Sequence, residues 1–179
     1  TSCSKYPFRT SVASIILNKD DELVSVLKGK DAMDIIAYTK QGNGLRFDTG
    51  TFTETNRMSR GVIGIDLAPN DEVVGIARIT NTDDQMLILT DKGNGKRCTL
   101  DTFAKSDRRG QVLKLISLGK GEHLAFVIGC NDFCEFRVLL KTDIFDVSAD
   151  EFPELTRNHP GKKVIPVRKG DTIIKVVRK

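Results

Sequence analysis

The residues best placed to do chemistry lie in one short stretch, Leu89 to Leu100, which reads LTDKGNGKRCTL. Two glycines flank an asparagine and two cations follow, the ingredients of a loop that grips phosphate through backbone N–H groups and an ammonium. The spacing argues against such a loop. A P-loop needs Gly-x4-Gly-Lys-Ser/Thr, whereas Thr90 stands where the first glycine belongs and Arg97 follows Gly95-Lys96. The dinucleotide fingerprint fails too, because Cys98 occupies the place of its third glycine. Set between two apolar runs, Gly-Asn-Gly instead supplies the positive φ of a tight hairpin.

The other reactive side chains form no constellation. Of Cys3, Cys98, Cys130 and Cys134, only the last two are close in sequence, and His123 and His159 make no second pair, so neither a four-ligand zinc site nor any other metal site is expected. No nucleophile–base pair or carboxylate dyad recurs at usable spacing, which speaks against a free-standing enzyme and predicts no catalytic residues and no cofactor. Four cysteines in 179 residues are too sparse for a disulfide scaffold and fit the reduced thiols of a cytosolic protein.

The elements that would carry the glycine turn repeat. Tyr38 to Thr49, YTKQGNGLRFDT, is a second copy, with Gly42 standing 51 residues before Gly93. Acidic-then-apolar heads begin at Asp21, Asp71, Glu122 and Asp171, each after a polar corner. Phe52, Phe103 and Phe152 recur with the same period, and apolar tails follow them at Gly61, Gln111 and Lys163, with an earlier copy at Ser11. Three landmarks sharing one period delimit units at 18–67, 68–118 and 119–167, a partial unit at 1–17 and the start of another at 168–179. Either the chain is a piece of a longer protein or its head and tail complete a fourth unit together.

Within the second unit EVVGIARI, MLILT, KRCTL and QVLKLISL are strand-length, rich in β-branched residues and split by Gly, Asn and Asp; none keeps helical spacing. Four short strands in about 50 residues predict a propeller-type blade. With 39% hydrophobic residues the chain is expected to fold. It has no apolar run of about 20 residues, so no membrane span is expected, and TSCSKYPF is no signal peptide. A net charge of +4 permits a polyanionic partner without requiring one. The cations recur in the turns and following loops: Arg46, Arg57 and Arg60; Lys92, Lys96, Arg97, Lys105, Arg108, Arg109 and Lys114; then Arg157, Lys162 and Lys163. Acids gather at the unit heads. Repetition would turn such loops into a basic rim able to track a phosphate backbone. The alternative is a propeller-type protein-interaction module without a DNA role, marked by scattered cations and an apolar patch.

At Gly61–Ile79 and Leu87–Gly110 the chain resembles the C-terminal domain of the A subunit of bacterial type IIA topoisomerases, DNA gyrase and topoisomerase IV. Asp71 to Gly75 match the family's head, Thr90, Gly93, Gly95, Lys96 and Arg97 its turn, and Arg60 to Ile63 with Ile65 its tail. The resemblance implies an all-β β-pinwheel whose blades exchange strands and whose rim binds and bends double-stranded DNA, steering a segment for strand passage. Arg46, Arg57, Arg60, Lys92, Lys96, Arg97, Lys105, Arg108, Arg109, Lys162 and Lys163 are then the expected DNA contacts. It also implies, as partners, the rest of the topoisomerase polypeptide and a separate ATPase chain, with the nucleophilic tyrosine elsewhere; neither Tyr6 nor Tyr38 has its context. The Gln-Arg-Arg-Gly-Gly-Lys-Gly box of gyrase is present only as Arg108-Arg109-Gly110, which points toward topoisomerase IV, or else toward a gyrase whose box lies upstream.

Overall fold

The computed structural model describes residues 13–179 except 30 and 57. Eleven strands follow in order: β1 (Asp34–Thr39), β2 (Asn43–Asp48), β3 (Val73–Ile79), β4 (Gln85–Thr90), β5 (Asn94–Thr99), β6 (Leu113–Lys114), β7 (Leu124–Cys130), β8 (Glu135–Leu140), β9 (Ile144–Ser148), β10 (Lys162–Lys163) and β11 (Ile173–Arg178). The only helical elements among the described residues are three-residue 3-10 turns at Thr49–Thr51, Leu100–Thr102 and Ala149–Glu151, each leading into one of the periodic phenylalanines. The fold is all-β, as the sequence predicts.

The strands form three antiparallel sheets, in the orders β3-β1-β2-β6, β10-β5-β4-β7 and β11-β8-β9. Every sheet is built round a hairpin, and the strands flanking that hairpin come from the next unit along the chain. The four strands of the 68–118 unit therefore divide: β4 and β5 lie in the second sheet, while β3 and β6 complete the first. QVLKLISL contributes only Leu113–Lys114 to a ladder, pairing with Asn43 and Gly44.

Alternation within the hairpins sets the stacking. Met86 and Ile88 of β4 join Ile36, Tyr38, Leu124 and Val127 in the core between the first and second sheets. Leu87 and Leu89, on the opposite face, join Phe136, Val138 and Phe152 between the second and third. A third cluster, around Ile35, Leu45 and Phe47, covers the far face of the first sheet. Phe103 and Phe152 are fully buried, whereas Phe52 is half-buried and meets Phe47 edge-on at 5.3 Å. The segments at 22–28 and 62–63 hold the repeat positions of β3 and β6 but pair with no hairpin among the described residues, and Leu23, Val24, Val26, Val62 and Ile63 stand exposed.

The two glycines of Gly-Asn-Gly do different work. Gly93 takes φ +80 and its N–H closes the turn on the Thr90 carbonyl. Gly95 lies inside β5, where a Cβ would come within 2.5 Å of the Phe152 ring.

Candidate nucleic-acid interface

The leading acids of three unit heads, Asp71, Glu122 and Asp171, are spent on the hairpin turns, whereas Asp21 accepts from Asn18 within its own corner. Asp71 accepts from Gln41 N and Asn43 Nδ2. Glu122 accepts from Thr90 Oγ1 at 2.6 Å, Asn94 Nδ2 at 2.7 Å and Gly119 N at 2.8 Å. Asp171 accepts from Lys141 N and Thr142 Oγ1. Each first strand is thereby locked to the turn of the hairpin it pairs with. The third turn, Lys141-Thr142-Asp143, has no glycine and is closed the same way.

The cations predicted from the sequence fall into three groups. The first faces inward. Lys96 is 0% exposed, and its Nζ donates to the carbonyls of Thr156 at 2.9 Å, Arg157 at 2.5 Å and His159 at 2.8 Å. Burial pulls its pKa down to about 8 from 10.5, with Cys98 opposing and the Arg157 charge adding to the fall. Arg97 is buried; its Nε donates to the Phe152 carbonyl at 2.9 Å and its Nη1 to Gln85 Oε1 at 2.8 Å and the Asp132 carboxylate. Arg46, its counterpart one unit earlier, donates from Nη1 to the carbonyls of Leu100 and Phe103 and grips Asp34 at 2.7 and 3.1 Å. Burial alone would raise the Asp34 carboxyl, but Arg46 and Lys105 together hold it below its ordinary value. Each arginine thus staples the periodic phenylalanine of the following unit to its own hairpin.

The second group lies along the far edge of the sheets. Lys162 and Lys163 form β10, opposite Gly95 and Asn94, and both are exposed. Lys163 Nζ donates to the carbonyl of Lys92, so Lys92, Lys162 and Lys163 come together. Lys114 holds the matching edge position in β6, and Arg157 Nη1 donates to its carbonyl at 2.9 Å. The third group is a corner. Arg109, at φ +61, bonds Asp66 and donates its N–H to the Gly64 carbonyl, while Arg108 reaches the Ile63 carbonyl at 3.4 Å. This lays both on the 60–66 segment with exposed Arg60. Lys105, half-exposed, bridges to Asp34 at 2.9 Å. Arg57 lies outside the described residues.

Residues 34–80, 84–131 and 147–178 match the model of the DNA gyrase C-terminal domain, beta-propeller. The chain belongs to that family. Its first two matched stretches each run from a hairpin to the strand of the next unit that pairs with it, the frame of one sheet. The DNA gyrase A protein of Haloquadratum walsbyi is 31% identical over 171 residues, 93% of this chain and 20% of that protein. Its Staphylococcus aureus counterpart is 30% identical over 148 residues, 78% of this chain and 17% of its own length. The chain thus spans about a fifth of these gyrase proteins. Among solved structures, a DNA gyrase A C-terminal domain superposes with a TM-score of 0.85 at 22% identity, covering 96% of this chain and 59% of that one. The C-terminal domain of DNA topoisomerase IV gives 0.83 at 21% identity, covering 92% and 52%. Both share the fold.

Membership explains why the turn, head and tail motifs recur together. What sequence reasoning missed is the inward use of three cations. Lys96, Arg97 and Arg46 look like surface charges in a linear reading because the carbonyls they donate to lie in the next unit, at separations with no local signal.

Proposed function

We propose that the chain is a duplex-DNA-binding and DNA-bending domain of a type IIA topoisomerase, working in the cytoplasm with the rest of its own polypeptide and an ATPase partner. The observation that carries this reading is the division of charge. Asp71, Glu122 and Asp171 are consumed in locking hairpins, whereas Lys92, Lys114, Arg157, Lys162 and Lys163 meet no carboxylate within ion-pair distance among the described residues. Basic side chains left unneutralised along successive sheet edges match the phosphate ladder of a duplex. Arg60, Arg108, Arg109 and Lys105 extend that surface, and Lys96, Arg97 and Arg46 support it from within. Between the family's two enzymes, the reading favours the topoisomerase IV type of segment steering, because Arg108-Arg109-Gly110 stands without Gly-Lys-Gly.

The interaction-module reading draws on exposed Leu23, Val24, Val26, Val62 and Ile63. Their repeat positions are those of β3 and β6, which pair with a hairpin in the first sheet, so the repeat accounts for their apolar character without a separate partner site.

The test is equilibrium binding to a duplex of some tens of base pairs across a salt series. Log affinity should fall steeply with log salt, and Arg108→Glu with Arg109→Glu, or Lys162→Glu with Lys163→Glu, should each lower the slope by about 2. A slope unchanged in both double variants refutes the proposed surface. A bend angle no larger than that of free duplex refutes the bending.

A further inference from the structure

Lys96 occupies a place that needs no cation. The same register position of the hairpin holds Leu45 in the first sheet, opposite Ala37, and Phe145 in the third, opposite Val138. Both counterparts are apolar, so the fold accommodates an apolar side chain there. In the second sheet the position faces the loop at 154–161, which crosses toward the first sheet. All three hydrogens of the ammonium are taken by carbonyls of that loop.

The loop is tied on its other side as well. Arg157 Nη1 donates to the Lys114 carbonyl, and Ser117 Oγ donates to the Asn158 carbonyl at 2.7 Å. Both anchors belong to the segment that completes the first sheet. Beyond the loop come Lys162 and Lys163 of β10, on the second sheet. The corresponding loop one unit earlier, at 105–110, has no fully buried cation beneath it among the described residues and rests on the exposed Arg109–Asp66 pair. Of these two loops, only that at 154–161 has a charged nail driven through it.

We propose that Lys96 is a positioning residue of the DNA surface: its buried ammonium holds the 154–161 loop between the first two sheets and so fixes the spacing of Lys114 and Arg157 from Lys162, Lys163 and Lys92. The spacing of cations along successive sheet edges sets which phosphates a duplex can engage together, and hence how sharply it must bend. A charge that touches no phosphate therefore shapes the contact. This inference rests on the DNA-binding reading for its consequence, but the positioning itself is measurable without DNA.

The test compares the 179-residue chain with Lys96→Leu, the side chain of the first sheet's equivalent. Hydrogen exchange is followed at residues 156–161, and duplex binding is measured over a salt series. The expected result is exchange faster by about tenfold or more at 156–161, where few other contacts remain, with the β4 and β8 amides unchanged. The salt slope should fall by about 2 although no removed group touches DNA. Lys96→Met, which keeps the unbranched stem and removes only the ammonium, should speed the same amides to a similar degree, because the same three hydrogen bonds are lost. It serves if the leucine variant does not fold. Unchanged exchange at 156–161 in the folded variants overturns the positioning, and so does acceleration spread evenly over all strands, which would make Lys96 a general stabiliser. Local loosening with an unchanged slope overturns the link to the DNA surface. If the parent chain binds no duplex, the functional reading fails while the exchange result still decides the positioning.

Discussion

Arg97→Met tests the stapling of one unit to the next. The substitution keeps most of the aliphatic volume and removes the guanidinium. Three acceptors lose a donor: the Phe152 carbonyl, Gln85 Oε1 and the Asp132 carboxylate. The last costs little, because the Asp132 side chain is 62% exposed and water replaces the arginine. The first two lie against a nearly closed interior, with Phe152 at 1% and Gln85 at 7% exposure. Each buried acceptor left unpaired costs about 1–3 kcal/mol. Gln85 keeps its own Nε2 bond to Asp132, which limits its share. The expected loss is about 3 kcal/mol, read as a lower midpoint in urea unfolding at unchanged m-value. The control is Asp132→Asn, which removes the Coulomb attraction but leaves the two buried bonds, and should cost less than about 1 kcal/mol. Arg97→Met within about 0.5 kcal/mol of the parent would refute the stapling argument, that being the usual scatter of surface changes. Equal losses in the two variants would refute it differently, by showing that charge attraction and not buried hydrogen bonding holds the corner.

Glu122→Gln should destabilise by about 1–2 kcal/mol, since one amide cannot accept from Thr90, Asn94 and Gly119 as a carboxylate does; denaturant melts check it, and no change would mean that the turn closes without its lock. Gly95→Ala should cost about 1–3 kcal/mol, because the new methyl meets the immobile Phe152 ring at 2.5 Å; thermal unfolding reads it. Lys96 should mark the alkaline side. Its folded pKa is about 8 against 10.5, so the folded state disfavours the charged form. That penalty is present in full below pH 8 and is released as pH rises toward the unfolded value. The parent should therefore gain up to about 3 kcal/mol on Lys96→Leu between pH 8 and pH 10.5, measured by urea midpoints; a flat difference would deny the depressed pKa. Asp34 runs the other way: its lowered pKa gives stability present above the ordinary aspartate range and lost as pH falls through the folded value, so Asp34→Asn should flatten the acid limb.

The period, the strand segments and the all-β architecture were legible because alternation, turn glycines and buried phenylalanines are local signals. Gly93 could be read from its turn. Gly95 could not, because its constraint is the ring of Phe152, far along the chain. The same limit governed the charges. Lys162, Lys163, Arg108 and Arg109 stand exposed as their composition suggests, but Lys96 and Arg97 carry the same letters and point inward. Nothing nearby in sequence announces the three carbonyls or the Phe152 corner that receive them. The sequence shows only that acids gather at the unit heads, whereas Asp71, Glu122 and Asp171 are bonded to turns about 30 residues earlier.

The half-unit offset between repeat and sheet has a mechanical meaning. β6 follows the hairpin β4–β5 of the next sheet along the chain, so the first sheet gains its last strand only after the central hairpin of the second has been made. No unit can then be peeled away singly: pulling out residues 68–118 opens two sheets at once. A load along the row of edges is shared between neighbouring sheets, because each length of chain that forms one hairpin also supplies the flanking strands of the sheet before it.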